Sequence, residues 1–155
     1  MKKAFIFLVV IFLVNIAGMY FGFYNLWWFD MSLHFIGGFL MAMFMSHYLA
    51  DARTPSKLKN SLIIAGAVVF VGVIWEFYEY TASQILIRPI YDNFGVRTFF
   101  IGDLGDTMND LLMDILGAIL FAWLHPFRSS ETHKAQAYRQ NFSDGFGQKK
   151  PGRPQ

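Results

Sequence analysis

The sequence predicts an all-α integral membrane protein with four transmembrane helices. Three observations carry that prediction. Of 155 residues, 55% are hydrophobic and only 15% are charged, and the mean hydropathy is +0.36, more apolar than a soluble domain of this length. Four apolar stretches are separated by polar or glycine-broken connections. The basic residues fall almost entirely on alternate sides of those stretches, as the positive-inside rule requires. No cysteine is present, which excludes a disulfide framework, a thiol nucleophile and a thiolate metal site.

The first span follows Lys2 and Lys3 and runs from Ala4 to Tyr24. The apolar run exceeds a signal-peptide core, and no small-x-small cleavage site follows it. A run of about 21 residues rises roughly 30 Å, enough to cross the hydrocarbon layer. Trp27, Trp28 and Phe29 stand where an interfacial aromatic belt belongs. The second span covers Asp30 to Ala50 and ends at the polar connection Asp51 to Asn60. The third covers Ser61 to Tyr80. From Thr81 to Met108 the chain is mixed and punctuated by Pro89, Gly95, Gly102 and Gly105, which predicts an interfacial or partly re-entrant outer loop. The fourth span covers Thr107 to Leu124.

The domain expectation is therefore a four-helix unit over 1–125 and a basic, disordered tail over 126–155. With four spans, eleven of the thirteen basic residues lie on one side, leaving Arg88 and Arg97 opposite. That puts both termini in the cytoplasm (N-in, C-in) of a multi-pass plasma-membrane protein. The tail suits topology or anionic lipid better than nucleic acid, so the lipid bilayer is the expected partner.

Given this topology, eight of the eleven acidic residues fall on or near the outer face. Asp106, Asp110 and Asp114 recur every four residues and share one helix face, continued by Gly117. Ionisable residues inside an apolar span are costly and mark functional sites by default. Asp30, Glu79 and Asp110 should form one layer, with His34, Glu76 and Asp114 roughly 6 Å deeper, one helical turn away. Gly37, Gly38, Gly72 and Gly117 should let the helices approach closely. The expected result is a narrow, outward-facing pocket lined by one imidazole and several carboxylates.

Several carboxylates close together in a low dielectric need protons or a cation. His34, Glu76, Asp110 and Asp114 make a plausible ligand set for a divalent metal such as Zn, Mn or Fe. His34 and Asp110 are then the catalytic candidates as acid/base groups, with Asp30, Glu79 and Asp106 in support. Two bland readings stay open: a polar cluster that only holds the bundle together, and a pocket for a ligand without catalysis. An ion path is disfavoured because the helices turn apolar further in. His47 and His125 fit headgroup contacts, and Met41, Met43 and Met45 fit packing.

These residues also carry a family resemblance. The segment DMSLHFIGGF from Asp30 to Phe39 resembles the D-x3-H-F opening of the second helix in VanZ-like membrane proteins. WEFYE from Trp75 to Glu79 resembles their third-helix glutamate segment. Asp110, Asp114 and Gly117 resemble their D-x3-N-x2-G pattern, with Asp114 where Asn is common. The double glycine after His34 and the run GDLGDTMNDLLMDILGA from Gly102 resemble the small YjdF-like inner-membrane family more closely. The likeness spans Asp30 to Leu124. It implies a bacterial-type inner-membrane bundle and importance for Asp30, His34, Glu76, Asp110 and Asp114. It supplies no reaction, although VanZ-like proteins are associated with reduced susceptibility to teicoplanin. The functional expectation is a metal-dependent site for a lipid-linked or cell-envelope molecule; the alternative is a non-enzymatic protein whose polar cluster binds a ligand or stabilises the bundle.

Overall fold

The computed structural model describes residues 2–98, 100, 103–125, 139, 140 and 142. Five α-helices occur among them, and no strand: α1 (Lys2–Phe21), α2 (Trp27–Tyr48), α3 (Lys57–Ile85), α4 (Ile87–Phe94) and α5 (Leu104–Leu124). Helices α1, α2, α3 and α5 are long and apolar enough to cross a membrane, so the protein is an all-helical membrane protein with four candidate spans. The expected tail over 126–155 lies outside the described residues apart from 139, 140 and 142.

Each boundary has a local cause. Helix α1 stops at Gly22, whose φ of 74° breaks the helix and starts a short 3-10 turn, Phe23–Asn25. The first span therefore ends at Phe21 rather than Tyr24. Trp27, Trp28 and Phe29 form the first turn of α2, the two tryptophans exposed and Phe29 buried. Helix α3 begins at Lys57, capped by Ser56, whose side chain accepts the Lys59 amide. It also runs past Tyr80. The hydroxyls of Thr81 and Ser83 donate to the carbonyls of Phe77 and Tyr80 at 2.8 and 2.6 Å, so these polar residues bond back to their own helix instead of ending it.

The connection expected to be an irregular loop contains a further helix. Pro89 lies in the first turn of α4, where its missing amide has no intrahelical partner to lose. Gly95, at φ 64°, terminates it. Eight residues rise only about 12 Å, so α4 is not a span. Helix α5 begins three residues earlier than Thr107 because the Asp103 carboxylate accepts the Asp106 amide at 3.1 Å.

Helix α2 packs most extensively on α5, and the two run in the same direction: Gly38 lies against Asp114, and Phe39 meets Phe121 with ring centroids 5.5 Å apart. Helix α3 runs antiparallel to α5, with Lys57 Nζ donating to the Trp123 carbonyl at 3.4 Å. Helix α1 docks where Gly18 receives the ring of Phe29. The starts of α2 and α5 and the ends of α1 and α3 consequently share one end of the bundle, which carries the acidic residues. Ala42, Ile64, Val68, Ala118 and Phe121 form an apolar core in the other half. At that far end Arg53 donates to the Ser46 carbonyl and His47 bonds the Met43 carbonyl at 2.7 Å, placing basic groups on the last turn of α2.

Three of the four glycines expected to permit close approach do so. A Cβ on Gly38 would stand 2.6 Å from the Asp114 Cα, one on Gly72 2.6 Å from Asp114 Oδ2, and one on Gly117 2.7 Å from the Phe39 amide nitrogen. Gly37 differs, since nothing lies within 4 Å of its missing Cβ. Gly117→Ala should therefore lower the stability of detergent-solubilised protein by about 1–3 kcal/mol or more. Gly66→Ala, at another glycine whose Cβ would meet nothing within 4 Å, should stay within about 1 kcal/mol of wild type or gain slightly. Thermal unfolding followed by circular dichroism compares the two.

Candidate functional site

The acidic end gathers side chains from three helices around one imidazole. His34 is 8% exposed, and its Nε2 lies 3.8 Å from Asp30 Oδ1 and 3.9 Å from Asp110 Oδ2. Its Nδ1 lies 3.6 Å from Asp114 Oδ1. Asp30 sits one turn before His34 on α2, so helix geometry alone stacks the pair. Asp110 and Asp114 are delivered by the glycine-mediated contact between α2 and α5. Glu76 and Glu79, both buried on α3, complete the group.

The sequence-predicted residues are thus brought together, in a definite pattern. Donor atoms of Asp30, His34 and Asp110 all lie within 4.8 Å of one another, and so do those of His34, Glu76 and Glu79. His34 belongs to both sets and can hold a metal ion in either. Asp114 faces the opposite ring nitrogen from Asp30 and Asp110. Asp106 is half-buried in the first turn of α5 and stands outside both three-residue sets.

Hydrogen bonding within the cluster is incomplete. Both carboxylate oxygens of Glu76 and Oδ1 of Asp110 are buried with no partner at hydrogen-bond geometry, although the Thr107 side chain faces Glu76. Three unsatisfied carboxylate oxygens beside one imidazole are costly in a bundle interior. A cation, a donor group on a ligand or bound protons would each relieve that cost.

The pocket expected to be acidic has a different lining. A cavity of about 250 Å³ reaches His34 and Asp114, but its walls are mainly apolar side chains of α1, α2 and α3. Asp30, Glu76, Glu79 and Asp110 do not line it. They pack against one another on the acidic-end side of the cavity, where α2, α3 and α5 meet.

The sequence model of one family aligns with residues 2–130, a stretch holding all four candidate spans and all seven candidate residues. That family carries the description "Predicted membrane protein (DUF2238)". The chain belongs to this family. An uncharacterized protein of Thermotoga maritima is 32% identical over 115 residues, covering 72% of this chain and 55% of its own length. The chain thus spans about half the length of that relative. No solved structure matches.

Two residues of this family member join the site although sequence reading passed over them. Asn15, buried in α1, donates through Nδ2 to the Tyr24 hydroxyl at 2.9 Å. Tyr24 lies in the 3-10 turn outside the spans, and its phenol is pushed up by burial and then by Asp30, Glu79, Asp110 and Asp106. Its hydroxyl therefore stays neutral beside the carboxylates and ties α1 to their edge. One signal was available: Asn15 interrupts an otherwise apolar span, and a lone Asn there asks for a partner. Tyr24 gave none, since interfacial tyrosine is common. Tyr24→Phe and Asn15→Leu should each cost about 0.5–1.5 kcal/mol. The double variant should cost less than their sum, with a coupling of about 0.5 kcal/mol or more in a double-mutant cycle read by thermal unfolding.

Proposed function

We propose that the cluster at the acidic end is a divalent-metal site acting on, or binding, a lipid-linked or cell-envelope molecule. Its ligands are His34 Nε2 with Asp30 and Asp110, and Glu76 or Glu79 from α3. This reading rests on one observation: buried carboxylate oxygens without partners, in Glu76 and Asp110, converge on a buried imidazole. First-row ions hold nitrogen and oxygen donors at about 2.0–2.2 Å, which sets neighbouring donors roughly 3.0–3.5 Å apart. The 3.8 and 3.9 Å separations from Nε2 need to close by only a few tenths of an ångström. One nitrogen with several carboxylates suits Zn, Mn or Fe.

In this arrangement Asp114 serves as the residue that orients His34 through Nδ1, rather than as a ligand. His34 and Asp110 remain the acid/base candidates, and Asp106 supports from the first turn of α5. A metal bound there would act as a Lewis acid on a phosphoryl or acyl oxygen. Supporting inferences belong to the same proposal. The distribution of basic residues supports cytoplasmic termini in a bacterial-type inner membrane, with the cluster facing outward. The short α4 supports an interfacial connection between the third and fourth spans. The likeness to VanZ-like proteins agrees with an envelope-facing role.

The alternative, a non-enzymatic cluster that only stabilises the bundle, requires partners for its polar atoms. The 3.6–3.9 Å separations around His34 are ion-pair rather than hydrogen-bond distances, and it is the unpartnered oxygens of Glu76 and Asp110 that weigh against it. Mass spectrometry of metal in the detergent-purified full chain tests the choice. Near one ion per chain is expected in wild type, with loss in His34→Ala and Asp110→Asn. Asp114→Asn should weaken binding about 10–100-fold, and Asp103→Asn should not change it. Affinity should fall with falling pH because the donors must be deprotonated. Folded protein that takes up none of Zn, Mn or Fe would overturn the metal reading in favour of polar packing.

A further inference from the structure

The cavity beside the cluster has the polarity of an amphiphile. Where it reaches His34 and Asp114 it is polar; away from them it runs past Met41 and Val68 between apolar side chains. His34 and Met41 are seven residues apart on α2, so this slot is about 10 Å long along the helix axis. Its polar end faces the acidic end of the bundle and its apolar end faces the middle of the spans. A lipid in one leaflet has the same sense.

Two features make the space a built one. Gly37 faces it with nothing within 4 Å of a Cβ position, so the missing side chain is part of the cavity. Helix α1 meets the rest of the bundle at Gly18 on Phe29 and through an edge contact of Phe12 with Trp75 at 6.3 Å, and Ala4 is buried at its other end. Beyond Phe12, Leu8 and Ile11 border the cavity, which is partly open. The opening lies along candidate spans, where the surroundings are lipid chains.

We propose that this slot holds the hydrocarbon chain of a membrane lipid, entering sideways between α1 and α3, with its polar end at His34 and Asp114. Water is a poor occupant, because cavities with apolar walls stay dry. A partner helix is too wide, since helices with side chains measure about 10–12 Å across. At about 250 Å³ the space falls below the roughly 300–1,000 Å³ of pockets that enclose whole drug-sized ligands, and suits one chain segment. The proposal names the substrate class for the metal reading and rests on it for the role of the polar end. Binding of the chain itself stands on the cavity.

The test uses the full chain in phosphatidylglycerol nanodiscs containing phosphatidic acid with a diazirine on one acyl chain. Irradiation followed by peptide mass spectrometry should place adducts on Leu8, Ile11, Met41 and Val71 at several times the yield found on the exposed residues Phe70 and Ile119. Gly37→Leu should cut the cavity adducts several-fold and leave those on Phe70 and Ile119 unchanged. Val71→Phe, which narrows the slot from α3, should do the same and stands in if the glycine variant does not fold. Equal yields at cavity and exposed positions, or cavity yields indifferent to a folded filling variant, overturn the proposal. A full chain that is dimeric in the nanodisc and carries no cavity adducts also overturns it, in favour of a second copy. Metal content measured on the same samples keeps the two readings apart. His34→Ala that loses metal but keeps cavity labelling supports both. Labelling in wild type that binds no metal supports the lipid slot and removes the metal reading.

Discussion

Asp114 is the point on which the bundle turns. Its backbone lies against Gly38 of α2 and its carboxylate against Gly72 of α3, each with no room for a side chain on the glycine. Three spans are fixed relative to one another at that residue. Close glycine contacts suit a membrane interior, where burying apolar surface gives no advantage over lipid and association depends on packing and polar contacts. With α2 and α5 parallel and this close, His34 has to fall between Asp110 and Asp114. A larger residue at 38 or 117 would part the helix backbones and so move the imidazole relative to its carboxylates, and one at 72 would press on the Asp114 carboxylate itself.

The two halves of the bundle are built on different terms. In one half Ala42, Ile64, Val68, Ala118 and Phe121 pack as an ordinary apolar core, and Arg53 and Lys57 donate to carbonyls near the ends of α2 and α5. That half also buries Ser46 and Asn60, but both are paired: Ser46 Oγ donates to the Met43 carbonyl and Asn60 Nδ2 to the Thr54 carbonyl, each at 2.9 Å. The other half holds five carboxylates and a histidine, with several buried oxygens unpartnered. A sequence selected only to hold four helices together had the first solution at hand for both halves. Departure from it at one end, on three helices at once, is what functional sites look like when local rules of packing are broken.

Much of this was legible because it is local. Hydropathy marks the four spans, and a four-residue spacing puts Asp110 and Asp114 on one face whatever the helix packs against. Glycines at 38, 72 and 117 announce close contacts without saying with whom. The rest depends on tertiary placement. Alternating spans make α2 and α5 parallel, but nothing in the chain order says that they pack side by side, so the division of carboxylates between the two ring nitrogens of His34 was out of reach. Gly37 and Gly38 are adjacent and look equivalent, yet one meets a backbone and the other opens a cavity, because neighbouring helix positions point about 100° apart. The α4 helix was hidden by Pro89 and its glycines, which read as breaks although Pro89 occupies a first-turn position that tolerates proline.

The cavity and the cluster share a boundary, and that boundary is the pair His34 and Asp114. Both residues belong to the cavity lining, while the Nε2 side of the imidazole faces Asp30 and Asp110. A group arriving in the cavity changes the surroundings of Asp114, and Asp114 is the carboxylate at the Nδ1 side of the ring. A cation arriving at Nε2 changes the same ring from the other side. If each event alters the free energy of the other, the effect must be equal in both directions. The close contacts around Asp114 give it little room to absorb a change without passing it on. A small buried imidazole held at this junction thus joins a polar half with unpartnered oxygens to a space of about 250 Å³ walled mainly by apolar side chains.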